Sequence, residues 1–162
     1  MLSQLMAENI DKMDRNILKL LQQDASISMD ALAERVHLSR NACWRRIRQM
    51  EDAGVIRSRV ALIDPAALGL GLTVFVMIRT NMHQSDWLET FARVVRDTPE
   101  IIGAHRMSGD LDYVLRVKVP DVDGYDRFYQ RLIRQIPIAD ISASFVMDDI
   151  KDTTALPTDL AT

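Results

Sequence analysis

A chain of 162 residues that is 48% hydrophobic and 27% charged fits one ordinary domain or two small ones and is too apolar for a disordered polymer. Its formal net charge is −3, yet the charge is uneven: residues 1–63 carry +2 and residues 64–162 carry −5. One cysteine, Cys43, excludes an intrachain disulfide and a cysteine-clustered zinc site, the longest apolar run, Leu68 to Ile78, is about half the length of a bilayer-spanning helix, and the start lacks a secretory pattern, so a cytoplasmic protein with no membrane partner is expected.

The first predicted element is a helix over 13–23, with Met13, Ile17, Leu20 and Leu21 on one stripe. Asp24 to Ser28 breaks it, and Ser28 caps the next helix. Met29 to Gly54 then reads as helix, short turn, helix. Ser39 suits the N-cap of the second helix because its hydroxyl accepts from an otherwise unpaired backbone N–H, and Gly54 suits the stop. Cys43, Ile47 and Met50 recur at i, i+4 and i+7 and form one apolar face, on which the thiol is a small core residue.

The opposite face carries Arg40, Asn41, Trp44, Arg45 and Arg48. Taken alone, a charged stripe is an ordinary solvated helix surface. From Arg40 to Arg59, however, six basic residues face two acidic ones, Glu51 and Asp52, so the basic charge is concentrated as phosphate binding requires. Arginines and an amide on a helix that buries its other side are the chemistry of major-groove reading in double-stranded DNA. Arg40, Asn41 and Arg45 are the expected base readers, and Arg57, Arg59 and backbone N–H groups the expected phosphate contacts.

Residues 55–64 mix β-branched residues with arginines and read as a short strand pair, the wing of a winged helix, or the start of a linker strand. Asp64-Pro65 breaks that strand. The expected division is a helix-turn-helix domain over 1–63, a linker over 64–71 and a second domain over 72–162.

The second domain shows a loose repeat: strand 72–80, helix Ser85–Asp97, strand 101–109, then strand 111–119, helix Gly124–Gln135 and a strand from Asp140 to Met147. The order is βαββαβ. Tyr113, Leu115, Val117 and Val119 alternate with polar or smaller residues, so that strand buries one face. An α+β, ferredoxin-like fold follows: a four-stranded antiparallel sheet with two helices on one face, the other covered by a second copy of the sheet.

Ser108 to Tyr113 joins two of those strands. Gly109 permits exposed backbone N–H groups, which suit a carboxylate, while Asp110 and Asp112 suit an ammonium group, together a site for a zwitterion; an ordinary hairpin turn uses the same residues. His37, His83 and His105 have no metal-spaced partners, so no metal site is expected. Asp148, Asp149 and Asp152 form an acidic end, a solvated face or an inter-subunit contact. The nine methionines read as core filler. No nucleophile–base pair or phosphate loop is present, so neither catalysis nor a cofactor is expected.

These residues together resemble the Lrp/AsnC, or feast/famine, family of prokaryotic transcription regulators. The likeness runs through Met13-Asp14-Arg15-Asn16-Ile17-Leu18, Leu38-Ser39, Cys43, Arg45 to Glu51, Gly54, Ile56, Ser108 to Tyr113, Val119-Pro120-Asp121 and Phe145-Val146-Met147. It implies a homodimer or larger assembly such as an octamer, formed through the C-terminal sheets, with an amino-acid effector bound between subunits. It also implies Met107, Ser144 and Val146 as pocket neighbours of Ser108, Gly109, Asp110 and Asp112. Val60-Ala61-Leu62, Asp64-Pro65, Gly69 to Thr73 and Ile150 to Pro157 are similar to the regulators of cysteine detoxification, which implies cysteine as effector; a leucine or branched-chain effector is the alternative. Trp44 departs from the aliphatic residue many members carry.

Overall fold

The computed structural model describes residues 10–81 and 84–160; His83 lies outside them. They divide into two compact units: the first holds the chain up to Ala61 and again from Lys151, and the second is Leu62–Ile150.

The first unit is three helices: α1 (Lys12–Gln23), α2 (Met29–Arg35) and α3 (Arg40–Asp52). Each begins on a side-chain cap. Asp11 accepts from the Asp14 N–H at 2.9 Å while Asp14 accepts from the Asp11 N–H at 3.2 Å, a reciprocal capping box. Ser28 accepts from Ala31 and Ser39 from Ala42, each at 3.2 Å. Ile17, Leu32, Val36, Cys43, Ile47 and Met50 form the core, as the stripes of α1 and α3 predict.

Residues 55–64 form no strand, which corrects the expected wing pair. β-branched residues give a segment the capacity to pair, but a ladder needs a partner edge, and Val60, Leu62 and Ile63 stand exposed.

The second unit has β1 (Leu72–Arg79), α4 (Ser85–Asp97), β2 (Ile101–Arg106), β3 (Tyr113–Val119), α5 (Val122–Gln135) and β4 (Asp140–Phe145). The strand order is β2-β3-β1-β4, with every pairing antiparallel. This is the ferredoxin-like βαββαβ arrangement. Tyr113, Leu115, Val117 and Val119 are buried with Trp87, Phe91 and Val94 of α4 and Phe128 and Leu132 of α5, so both helices cover the same face. Trp87 stacks on Phe91 at 5.1 Å and donates its indole N–H to the Pro137 carbonyl at 2.8 Å. The face away from the helices carries Phe75 and Met77 of β1 beside Val114 and Arg116 of β3 and Ser142 and Ser144 of β4.

β2 ends at Arg106, three residues before the expected 109. The chain leaves the strand because the Met107 N–H donates to the Asp112 carbonyl at 2.8 Å, closing a loop in which Gly109 has φ +114°, a conformation only glycine adopts without strain.

The segment from Lys151 was expected with the sheet domain, but it packs on the first unit. Gln22 of α1 donates from Nε2 to the Leu156 carbonyl at 3.2 Å and accepts the Leu156 N–H at 2.6 Å, and Lys19 pairs with Asp159 at 3.0 Å.

Candidate nucleic-acid interface and effector turn

The turn between α2 and α3 sets how the second helix is presented. The Leu38 N–H donates to Ala33 O at 2.9 Å and the His37 N–H to Glu34 O at 3.1 Å, the paired bonds that end a helix in a Schellman motif. His37 therefore occupies the left-handed position, with φ 54°. Gly54 closes α3 the same way at φ 73°, with Val55 N–H on Met50 O and Gly54 N–H on Glu51 O.

On α3, Asn41, Trp44, Arg45 and Arg48 are exposed on one face while Cys43, Ile47 and Met50 are buried on the other. The predicted residues differ in how far they are committed within the chain. Arg40 lies 3.6 Å from Asp30, Arg48 lies 3.7 Å from Glu51 and 3.5 Å from Asp52, and Arg59 bonds Glu51 at 2.9 Å. Among the described residues no ion pair holds Arg45 or Arg57. Ser39 uses an oxygen lone pair as the cap, which leaves its O–H as well as backbone N–H groups of the first turn to donate to a phosphate. Trp44, 58% exposed, borders a hollow of about 240 Å³ that Met29, Ile47, Arg48, Glu51 and Arg59 also line.

Arg46 counts toward the basic run of the sequence but serves the fold. Its Nη1 bonds Asp11 at 2.7 Å and Asp14 at 2.9 Å, with 28% of the side chain exposed. The cap of α1 is thereby fixed to α3. The Asp14 N–H, and then Arg46, hold the Asp11 carboxyl below its ordinary range, and the Asp14 and Asp11 hydrogen bonds raise Arg46. Burial raises the Cys43 thiol, as a core position requires.

In the second unit, Asp112 accepts the Thr80 N–H on Oδ2 at 2.8 Å and donates its own N–H to Ile78 O at 3.0 Å. Arg79 donates from Nε to the Asp110 carbonyl at 2.8 Å and pairs through Nη1 with Asp140 at 2.8 Å. Ser108, Gly109 and Asp110 are exposed, and Met107 is 44% exposed. Thus Asp112 is partly committed to closing β1, whereas the Asp110 carboxylate faces solvent.

Ser144 and Val146 do not join that turn within one chain. Ser144 sits opposite Phe75, and the Val146 N–H donates to Thr73 O, whereas the turn meets the end of β1 at Ile78 and the residue after it at Thr80. Five strand steps separate Thr73 from Ile78, roughly 16 Å at about 3.3 Å each, and three separate Phe75 from Ile78, roughly 10 Å. Sequence reading missed this separation because strand order is not a local pattern, and it missed Arg79 because the side chain's partners lie 31 and 61 positions away.

Among the described residues, no group of three or more His, Cys, Asp and Glu could hold a metal ion, and no helix is long and apolar enough to cross a membrane.

A helix-turn-helix with a basic exposed face, joined to a ferredoxin-like unit with an open polar turn, defines a ligand-responsive DNA-binding regulator. Family models agree: a winged helix-turn-helix DNA-binding domain matches residues 10–57, and the Lrp/AsnC ligand binding domain matches residues 73–156. The chain belongs to the Lrp/AsnC family of transcriptional regulators and is not an enzyme. It is 48% identical over 149 residues to the DNA-binding transcriptional activator DecR of Escherichia coli, covering 91% of this chain and 98% of that one. It is similar to the crystal structure of an AsnC family transcriptional regulator from Agrobacterium tumefaciens, with TM-score 0.89, 52% identity and coverage of 92% and 97%. It is also similar to the L-methionine complex of a transcriptional regulator from Neisseria meningitidis, with TM-score 0.88, 36% identity and the same coverage.

Proposed function

We propose that the protein acts in the cytoplasm as a homo-oligomer that places α3 of two copies in successive major grooves. Arg40, Asn41 and Arg45 face the bases, Trp44 and Arg48 share that DNA-binding face, and Arg57 and Arg59 meet phosphates. The observation that carries this reading is the contrast on one helix: Arg46 is held by two carboxylates, while Arg45 and Asn41 stand exposed with no side-chain hydrogen bond or ion pair among the described residues. A guanidinium with no internal partner keeps its full donor set for a guanine edge. Arg45→Ala is expected to cost about 1–3 kcal/mol on a specific site with little loss on unrelated DNA, measured by titrating both duplexes. Equal loss on both would reduce Arg45 to a phosphate contact.

The effector is an amino acid bound between copies of the second unit. Support comes from the separation of Met107, Ser108, Gly109, Asp110 and Asp112 from Ser144 and Val146, since a pocket lined by both sets needs two chains. Backbone N–H groups of the turn receive the carboxylate and Asp110 the ammonium. A ligand that binds one assembly better than another shifts which half-site spacing is held, which couples effector to DNA. A thermal-shift screen of the common L-amino acids tests this, because a ligand at about 100 times its Kd adds roughly 2.7 kcal/mol. A shift confined to cysteine supports the detoxification subgroup, one with methionine or leucine supports an apolar pocket, and none with any amino acid overturns the amino-acid reading.

A further inference from the structure

We infer that Glu51 is a positioning residue for DNA recognition, ordering Arg59 and Arg48 on the face of α3 that carries Trp44; this rests on that face being the one that meets DNA. A carboxylate on a phosphate-facing surface needs an explanation, because it removes one unit of attraction from the region whose positive charge drives binding. The geometry supplies it. Glu51 Oε1 accepts from Arg59 Nη2 at 2.9 Å, and Oε2 lies 3.7 Å from Arg48 Nη1. Only 31% of the Glu51 side chain is exposed, against 41% for Arg59 and 61% for Arg48, so the carboxylate is the least solvated of the three.

Arg59 sits in residues 55–64, which no strand ladder restrains. A long side chain on such a segment samples many rotamers and loses that freedom on binding. Held by Glu51, its guanidinium borders the hollow shared by Trp44 and Met29 before DNA arrives. Part of the ordering cost of the complex is then met in the free protein, which favours one geometry over many. The carboxylate therefore lowers indiscriminate attraction and raises affinity for the site whose shape matches the held arginines.

The experiment uses the full chain, a duplex that the unaltered protein selects from a randomised pool, and poly(dI-dC) as unrelated DNA. Glu51→Ala is expected to weaken the selected duplex about tenfold while binding poly(dI-dC) more tightly and with a steeper salt dependence, since two freed arginines reach phosphates. Glu51→Gln, which keeps one acceptor for Arg59, is expected to fall between. The double variant Glu51→Ala with Arg59→Ala is expected to lose clearly less on the selected duplex than the sum of the two single losses, because the carboxylate acts chiefly through that arginine and only in smaller part through Arg48. Tighter binding of Glu51→Ala to both duplexes would overturn the inference and leave plain repulsion, and additive losses in the double variant would also overturn it. A pool that yields no preferred sequence overturns the DNA-binding reading itself, and Glu51's role with it.

Discussion

His37 is a β-carbon-bearing residue in a backbone conformation that disfavours one, at φ 54°. Left-handed backbone costs an L-residue roughly 1–2 kcal/mol, and branching at Cβ makes it worse. His37→Val is therefore expected to lower stability by about 2 kcal/mol relative to His37→Gly, readable as a difference in thermal midpoint between the two variants. Arg46 gives a second prediction at this scale. Asp11 is depressed in the folded state, so its contribution is present above the ordinary carboxyl range of about 4 and disappears as pH falls through the lower folded value. Arg46→Ala is expected to destabilise the first unit at neutral pH and to lessen in part the loss of its stability below about pH 4, because the Asp14 N–H still lowers Asp11 in the variant, followed by acid titration of helical signal. None of this was legible from residue type: Arg46 looks like its neighbours Arg45 and Arg48, and its partners are 32 and 35 positions away.

Elements were legible where one period dominates. The spacing of Cys43, Ile47 and Met50 and the alternation through β3 each bury the residues predicted, because a single face decides them. Residues 55–64 show the limit, since alternation reports capacity for a ladder and says nothing of a partner. The loop from Met107 to Asp112 shows another, since its bonds to Ile78, Arg79 and Thr80 come from the end of β1 and the residue after it, more than thirty positions back. Within the helix layer, Trp87 joins α4 to the segment before β4 by one indole bond. Trp87→Phe keeps an aromatic ring for the stack on Phe91 but orphans the Pro137 carbonyl, and should cost about 1–3 kcal/mol. Phe128→Ala, by emptying a fully buried site, should cost about 3–5 kcal/mol. Denaturant unfolding of the two variants ranks them.

At the scale of the molecule, the two units were expected as consecutive stretches, and the structure instead gives the first unit two separate pieces of chain. The return segment was illegible because its attachment is made largely by backbone: Gln22 bonds the N–H and C=O of Leu156, a residue that is 74% exposed. An amide that grips main chain leaves no apolar signature in what it grips. Ending the chain after Ile150 is expected to raise hydrogen exchange in α1 while leaving β3 amides protected, with Gln22→Ala moving in the same direction by a smaller amount. Unchanged exchange in α1 would make the segment a passive extension.

That return path leaves one joint of the head to the end of synthesis. Domains generally form as units in the order in which they leave the ribosome, and the apolar core of the three helices lies within residues 13–56, so only the clasp on Gln22 and Lys19 waits for residues 151–160. A nascent chain stalled after Ile150 would hold both cores finished and that clasp still open.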